Sequence, residues 1–377
     1  MTWRFCNLGD VITLKRGHDL PSDSRHEGDV PVVSSSGITG FHNQAKAEPP
    51  GVVTGRYGTI GEVFYLERDY WPLNTALYVI DFKGTHPRFA AYFLKNALRD
   101  YQSDKAAIPG VDRNVVHGFQ VRVPDRDTQE RIASTLTAYD DLIENNRRRM
   151  ALLEESARLL YREWFVRLRF PGHESTRIVN GVPEGWERVP LEQVAEFRLG
   201  KMLDQVKNKG DLMPYLANIN VRWGEVDLSG LREMRFKEDE LETFGLMFGD
   251  IVMCEGGEPG RCAIWKDQLP GMMFQKAIHR IRCRENMEFV YLYQNLRHQA
   301  QAGYLASLFT GATIKHFPRE KLAKVTVVVP PKQLLDLFAE HVIPIETQLG
   351  RLEAMNMQAS KARDLLLPKL MSGEIEV

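Results

Sequence analysis

The sequence WRFCNLGDVITLKRG at residues 3–17 returns in altered form as WERVPLEQVAEFRLG at residues 186–200. Apolar residues and one glycine match at a constant separation of 183 positions. The matched pairs are Trp3 and Trp186, Leu8 and Leu191, Val11 and Val194, Leu14 and Phe197, and Gly17 and Gly200. Because similarity at one fixed offset marks a duplicated structural unit, the sequence predicts two copies of one domain.

The repeat continues beyond these segments with small insertions. Pro31 and Pro214 keep the same separation, each within a short strand-like run. A β-like run then enters a glycine-rich turn in both copies, at residues 52–61 and 251–260. Each copy closes on a strand that ends in proline, at residues 121–124 and 325–330. These patterns predict that each copy is an α/β domain.

After each copy the apolar spacing changes to alternating steps of four and three, which is typical of a long helix with a narrow apolar seam. The first seam is Ile132, Leu136, Tyr139, Ile143, Asn146, Met150, Leu153, Ala157, Leu160 and Trp164. The second is Phe338, Val342, Ile345, Leu349, Leu352, Asn356, Ala359, Arg363, Leu366 and Leu370, offset by 206 throughout. The two seams are predicted to pack on each other as an antiparallel coiled coil, and the larger offset predicts 23 inserted residues in the second copy.

Three residues interrupt these seams or helices. Asn146 and Asn356 are polar seam positions, a feature that fixes register at a cost in stability. Pro344 is expected to bend the second helix or displace its start.

The predicted fold class is α+β, with two similar α/β domains separated by two long helices in a pseudo-two-fold arrangement. The predicted segments are a first domain at 1–126, a helix at 127–168, a linker at 169–185, a second domain at 186–331, and a helix with its tail at 332–377. At about 1.5 Å per residue, the first seam spans roughly 48 Å. That length suits two domains about one DNA turn, roughly 35 Å, apart.

Composition narrows the class of protein. Of 377 residues, 43% are hydrophobic and 26% charged, which is typical of a globular protein, and the net charge of −1 argues against a protein that coats nucleic acid by bulk charge. A specific DNA-binding protein remains compatible with this composition, because a few well-placed side chains read base edges.

The sequence shows no membrane-spanning run and no leader, so a cytoplasmic location is expected. Four irregularly spaced cysteines predict no disulfide framework, and no metal site is expected.

The ordered set of domain, helix, domain and helix resembles the specificity subunits of type I restriction-modification systems. The opening W-x4-L-x2-V occurs at Trp3 and Trp186, and a glycine-rich turn follows a β-run in each copy. QERIA at residues 129–133 follows the first Val-Pro close, and LLLPKLMSGEI at residues 365–375 ends the second helix. The resemblance covers essentially the whole chain.

This resemblance implies a function without chemistry of its own. Each domain would read one half of a bipartite double-stranded DNA target, and the helices would set the spacer between the halves. Two modification subunits would bind S-adenosylmethionine and methylate adenine, and two restriction subunits would use ATP with Mg²⁺. No cofactor is expected in this chain.

The sequence also lacks motifs that an enzyme of this kind would need. The Pro-Pro pairs, Pro49-Pro50 and Pro330-Pro331, lack the N/D-P-P-aromatic context of an amino-methyltransferase. A phosphate-binding G-x4-G-K-S/T loop and an H-E-x-x-H motif are both absent from the sequence. Two alternatives stay open: a fused methylation and restriction enzyme with an unrecognised catalytic part, and a coiled-coil scaffold without a DNA role.

Polar and basic side chains on turns beside strand ends are the natural candidates for DNA contact. In the first domain they are Ser34, Ser35, Ser36, Arg56, Tyr57, Thr59, Asn74, Lys105, Arg113 and Asn114. In the second they are Lys201, Asn218, Asn220, Arg222, Gln275, Lys276, Thr310, Thr313 and Lys315. Tyr161, Trp164 and Phe165 near the end of the first helix are expected to be exposed docking points for modification subunits.

Overall fold

The computed structural model describes residues 2–57, 61–99, 101, 110–204 and 206–377. The chain divides into two compact units. Unit 1 comprises Met1–Asn145 and Asn356–Val377, and unit 2 comprises Asn146–Met355. Unit 1 is thus assembled from two segments that are far apart in the sequence.

Unit 1 contains nine described strands and two helices before the first long helix. The strands are β1 Trp3–Asn7, β2 Thr13–Arg16, β3 Val30–Ser34, β4 Gly37–His42, β5 Gly51–Gly55, β6 Val63–Leu66, β7 Trp71–Pro72, β8 Ala76–Asp81 and β9 Gln120–Pro124. The helices are α1 Pro87–Ala97, α2 Arg113–His117 and the long α3 Arg126–Tyr161, which continues into unit 2. The strands form a four-stranded sheet in the order β2-β8-β5-β6, a three-stranded sheet β4-β3-β7 and the pair β1-β9.

Unit 2 repeats this arrangement. Its strands are β10 Ile178–Val179, β11 Val182–Pro183, β12 Glu187–Pro190, β13 Ala195–Leu199, β14 Asp211–Leu216, β15 Arg232–Phe236, β16 Ile251–Cys254, β17 Cys262–Ile264, β18 Met273–Phe274, β19 Ile278–Cys283 and β20 Thr326–Val329. Its helices are α4 Leu191–Val194, α5 Glu238–Phe244, α6 Phe289–Gln301, α7 Arg319–Leu322 and the long α8 Lys332–Ser372, which continues into unit 1.

The sheets of the two units have the same strand order. In unit 2 a four-stranded sheet β13-β19-β16-β17 accompanies a three-stranded sheet β15-β14-β18 and the pair β12-β20. The middle strand pairs in parallel with one neighbour in both three-stranded sheets. The predicted duplication and the α+β class are therefore confirmed. Unit 2 is longer partly because residues 217–231 connect β14 to β15, where Ser35 and Ser36 alone connect β3 to β4.

The repeated glycines allow a close approach of two chain segments. A Cβ atom at Gly17 would lie 2.2 Å from the carbonyl oxygen of Leu73, and one at Gly200 would lie 2.4 Å from that of Phe274. No side chain fits at either position without moving the backbone. The same constraint in both copies explains why the glycine recurs.

The core of each unit includes residues from both long helices. In unit 1 the repeat residues Leu8, Val11 and Leu14 are buried in one cluster with Ile132 of α3 and Leu370 of α8. In unit 2 the corresponding cluster is formed by the repeat residues and the two helices, and includes Leu191, Val194, Ala157, Tyr161, Phe338 and Val342. The seam residues of the two long helices therefore face each other and also form part of the hydrophobic core of each unit.

Within each unit the helix segments run antiparallel. In unit 1 Asp140 is 2.5 Å from Arg363, and further along α3 the Ile143 carbonyl accepts from Asn356 Nδ2 at 3.5 Å. α8 therefore runs in the direction opposite to α3. In unit 2 the ring centroids of Tyr161 and Phe338, near the end of α3 and the start of α8, are 6.3 Å apart. The antiparallel prediction is confirmed in both units.

Of the two effects expected of Pro344, a displaced start of the second helix is wrong, and a bend in the helix stays a prediction. α8 begins at Lys332 and continues through the proline. An interior proline removes one backbone hydrogen bond and crowds the carbonyl four residues earlier, and packing along the rest of the helix outweighs that cost. In the part of the chain that the structure describes, no helix is long and apolar enough to cross a membrane.

Candidate nucleic-acid interface

A pocket of about 430 Å³ in unit 1 brings together side chains from three separate elements. Arg16 comes from the end of β2, Arg56 and Tyr57 follow β5, and Arg113 begins α2. Three of these four were candidates from the sequence. Unit 1 therefore has a positively charged pocket beside its glycine-rich turn.

Arg56 is held in place within this pocket. Its guanidinium carbon lies 4.5 Å from the ring centroid of Tyr57, and Nη1 donates to the Asn74 carbonyl at 3.5 Å. The Val111 N–H donates to the Arg56 carbonyl at 2.8 Å. A guanidinium stacked on an aromatic ring retains donors for a ligand and loses little further freedom on binding.

α2 is fixed at the rim of the pocket by two hydrogen bonds. The Asp112 side chain accepts from the Asn114 N–H at 2.9 Å and caps the helix, whose first residue is Arg113. The Leu14 N–H donates to His117 Nε2 at 2.9 Å, so that nitrogen carries no proton. Burial, with the charges of Lys83 and Arg113, lowers the pKa of His117 and keeps the ring neutral. The rim is therefore attached directly to β2.

The remaining candidates of unit 1 are more varied. Ser34 is buried, donates to the Gly37 carbonyl at 3.3 Å and accepts from the Ser36 N–H at 3.1 Å, so it stabilises the β3–β4 turn. Ser35 is half-buried and Ser36 exposed, Asn74 donates to Asp19, and Asn114 is exposed on α2. Thr59 and Lys105 lie outside the described residues.

Two candidates of unit 2 are buried, and the expectation that they are accessible to DNA is wrong. Lys201 Nζ lies 2.5 Å from Glu240 and donates to the Arg235 carbonyl at 2.9 Å. Asn220 accepts from the Ala217 N–H and donates to the Asp227 carbonyl, both at 3.0 Å. Their polar groups are used within the protein, because Lys201 binds to β15 and α5 and Asn220 pairs with backbone groups of its own loop.

Three more candidates of unit 2 make local contacts while staying partly or largely accessible. Asn218 is half-buried and donates to the Gly256 carbonyl at 3.2 Å, and half-buried Gln275 accepts from the Ala277 N–H at 3.1 Å. Arg222 is exposed and lies 3.9 Å from Asp227.

An exposed hairpin carries the last group of candidates. Thr310 and His316 exchange two backbone hydrogen bonds, at 2.9 and 2.8 Å, and close a loop in which Thr313 and Lys315 are exposed. His316 Nδ1 lies 3.0 Å from a Glu255 oxygen, which attaches the hairpin to the turn after β16. Lys276 is also exposed.

The glycine-rich turns of the two units occupy equivalent places and differ in chemistry. Tyr57 pairs with Gly110 in unit 1, and Gly256 pairs with His316 in unit 2, so each turn contacts the segment before α2 or α7. Arg56 and Tyr57 stand at the first turn, whereas Glu255 with His316 stands at the second. The same backbone framework thus presents a cation in one unit and a carboxylate in the other.

The sequence reasoning missed Arg16, Arg198 and Arg319. Arg198 and Arg319 line a second cationic pocket, in unit 2. A signal was available for two of them, because basic residues stand one or two positions before the repeat glycines Gly17 and Gly200.

The expectation that Tyr161 is an exposed docking point is wrong. Tyr161 belongs to the core of unit 2, and its hydroxyl accepts from Asn295 Nδ2 at 3.0 Å. Phe165 and Trp164 are half-buried and pack against that core, with Phe165 5.1 Å from the Phe338 ring centroid. The apolar side chains at the end of α3 therefore pack within unit 2.

The cysteines and histidines of the described residues form no metal centre. All four cysteines are free, and His279 Nε2 is 2.7 Å from the Phe317 carbonyl. Burial raises the pKa of the Cys262 thiol to about 12. No group of three or more His, Cys, Asp or Glu side chains within the described ranges could hold a metal ion.

These features define a class of duplicated α+β proteins in which two copies of one domain alternate with two long helices. Residues 1–155 match the family model of the type I restriction modification DNA specificity domain. The specificity subunit of the type I restriction enzyme MjaIX of Methanocaldococcus jannaschii is 22% identical over 79% of this chain and 71% of its own length. That of HindI of Haemophilus influenzae is 21% identical over 98% of this chain and 94% of its own length.

A solved structure shares the fold. The crystal structure of the S subunit of a type I restriction-modification system from M. genitalium matches with a TM-score of 0.62 and 15% identity, over 98% of this chain and 96% of that one. The chain is therefore similar to type I restriction-modification specificity subunits along almost its whole length.

Proposed function

We propose that this chain selects the DNA target of a type I restriction-modification complex, with each unit reading one half of a bipartite double-stranded sequence. The observation that carries the proposal is the pair of equivalent turns with different chemistry, Arg56 with Tyr57 in unit 1 and Glu255 with His316 in unit 2. A duplicated protein that reads two different half-sites needs one framework and two sets of reading side chains.

The chemistry of the two turns suits different base edges. An arginine can donate two hydrogen bonds to O6 and N7 of guanine in the major groove. A carboxylate such as that of Glu255 can accept from the N4 amino group of cytosine. Exposed Thr313 and Lys315 on the neighbouring hairpin add hydroxyl and cationic contacts in unit 2.

The chemistry of the complex belongs, in this proposal, to other chains. Two modification subunits bind S-adenosylmethionine and methylate adenine, and two restriction subunits use ATP and Mg²⁺. This chain supplies specificity and a scaffold in the cytoplasm, and it catalyses no reaction. The relatives support this division, because they are themselves specificity subunits.

Mapping of methylated adenines tests the proposal. We expect cells with the modification subunits and this chain to methylate one bipartite motif, and cells lacking this chain to lose that methylation. Arg56→Ala should relax one half of the motif by roughly 10- to 100-fold in discrimination, because a bidentate base contact contributes about 1–3 kcal/mol. The other half and the spacer should stay unchanged.

Arg68→Ala is the matched control. Arg68 is an exposed arginine of unit 1 that does not line the pocket. Its replacement should leave the motif intact. Methylation that persists unchanged without this chain would rule the proposal out.

A further inference from the structure

A pocket of about 740 Å³ in unit 2 has a cationic lining. It lies between β13 and α7, beside the end of β19. Five cationic residues line it, Arg198, Arg280, Arg284, Arg319 and Lys324, together with the three carboxylates Glu192, Glu196 and Glu320. The cationic side chains that line the pocket thus outnumber the carboxylates.

Only part of this charge is used within the protein. Arg280 is buried and donates to the carbonyls of Thr243 at 3.1 Å and Gly245 at 2.9 Å. Arg284 lies 3.3 Å from Glu196. By contrast, the side chains of Arg198, Arg319 and Lys324 are exposed at the mouth of the pocket.

The arrangement is electrostatically costly in the free protein. Arg198 stands directly opposite Arg280 in the register of β13 and β19, and like charges at such positions destabilise a sheet. Burial lowers the pKa of Arg280, and the charges of Arg282 and, to a smaller extent, Arg198 act in the same direction. An anion bound in the pocket would relieve this repulsion.

The lining is also held in place. The Arg319 guanidinium carbon lies 5.4 Å from the ring centroid of Phe197 on β13. The backbone on either side of the pocket is joined, because the Leu191 N–H donates to the Val325 carbonyl at 2.8 Å. Arg319 is therefore oriented before any ligand arrives.

The pocket shares its position, but not its whole lining, with that of unit 1. Each pocket is lined by one arginine from the first strand of the four-stranded sheet and one from the short helix before the last strand. These are Arg16 and Arg113 in unit 1, and Arg198 and Arg319 in unit 2. The glycine-rich turn lines the first pocket through Arg56 and is not among the lining residues of the second. The second pocket thus offers cations without the side chains that distinguish the two turns.

We propose that Arg198, Arg319 and Lys324 bind the phosphodiester backbone beside the half-site read by unit 2, adding affinity without sequence preference. This inference rests on the proposed function, because it assumes that unit 2 contacts DNA. Cations that contact phosphates release counterions and make binding dependent on salt, whereas base contacts determine which sequence is bound.

The test uses the reconstituted complex of this chain with its modification subunits and a DNA duplex carrying the mapped motif. Binding of the complex with R198Q, R319Q and K324Q combined is measured by fluorescence anisotropy at several salt concentrations. We expect the slope of log K against log salt to fall by about 0.9 for each phosphate that the variant no longer neutralises, with the methylated motif unchanged. Because all three side chains are exposed and R198Q removes a like-charge pair with Arg280, the melting temperature should not fall.

The control combines R177Q and R188Q, two exposed arginines of unit 2 outside the pocket, and should keep the wild-type slope. An unchanged slope in the triple variant overturns the inference while the proposed function stands. A changed motif also overturns it, because the side chains would then read bases. Loss of the modification subunits from the complex overturns it in favour of a protein interface. Failure of the wild-type complex to bind the duplex contradicts the proposed function itself.

Discussion

At the scale of single residues, Glu346 on α8 is a carboxylate buried in unit 2 among other charges. It lies 3.7 Å from Lys266, which is itself 2.8 Å from Glu353, and Glu154 and Arg297 complete the group. Burial, together with the charges of Glu154 and Glu353, outweighs the effect of Lys266 and raises the pKa of Glu346 to about 7. The folded protein therefore holds this proton more tightly than the unfolded chain does.

This raised pKa predicts how stability depends on pH. The contribution of Glu346 to stability is fully present below its unfolded pKa of 4.5 and is lost as pH rises toward about 7. Glu346→Gln should remove a decline of roughly 3 kcal/mol over that interval. Denaturant unfolding of unit 2 at pH values from 4.5 to 8 measures it. Equal pH slopes in the two proteins would contradict the assignment.

Glu353→Gln is the matched control. It removes the carboxylate 2.8 Å from Lys266 and leaves a buried ammonium group with a weaker partner. We expect a loss of roughly 3–5 kcal/mol at low pH, where Glu346 is protonated and leaves the Lys266 charge uncompensated, and a smaller loss once Glu346 ionises beside Lys266.

At the scale of elements, Gln129 joins the start of α3 to the start of α1. Its buried side chain accepts from the His86 N–H at 2.9 Å and donates to the Pro124 carbonyl at 3.0 Å. Gln129→Ala should destabilise unit 1 by roughly 2–4 kcal/mol, since two backbone groups lose their partner. Glu130→Ala removes only an exposed ion pair with Arg126 and should cost less than about 1 kcal/mol. Equal losses in chemical denaturation would show that the two hydrogen bonds are dispensable.

The elements were more predictable than the side-chain environments. The seam of α3 follows from the spacing of nearby apolar residues, and the duplication follows from similar residue types at a fixed offset. Both could therefore be predicted from the sequence. The environment of Lys201 could not, because the folded chain alone brings Glu240 next to it. The meeting of Arg16 with Arg113 likewise depends on contacts between β2 and α2 that no local pattern reveals.

At the scale of the whole molecule, each unit requires chain segments that are distant in sequence. The end of α8, from Asn356 onward, belongs to unit 1, and Leu370 and Met371 are buried in the core that holds α1. The second half of α3 belongs in the same way to unit 2, where Ala157 and Tyr161 are buried. The two long helices are therefore parts of the domain cores.

This shared construction predicts that a mutation near the end of the chain loosens the unit formed mostly by its beginning. Leu370→Ala removes a fully buried side chain and should destabilise unit 1 by roughly 2–5 kcal/mol. Hydrogen exchange should then accelerate in α1 and β5 and stay at the wild-type rate in α6 and β16, because the Leu370 cavity lies in the core of unit 1 alone. Leu365→Ala, on the same helix but 59% exposed, should change neither set. Acceleration confined to unit 2, or equal acceleration in both units, would contradict the assignment of the end of α8 to unit 1.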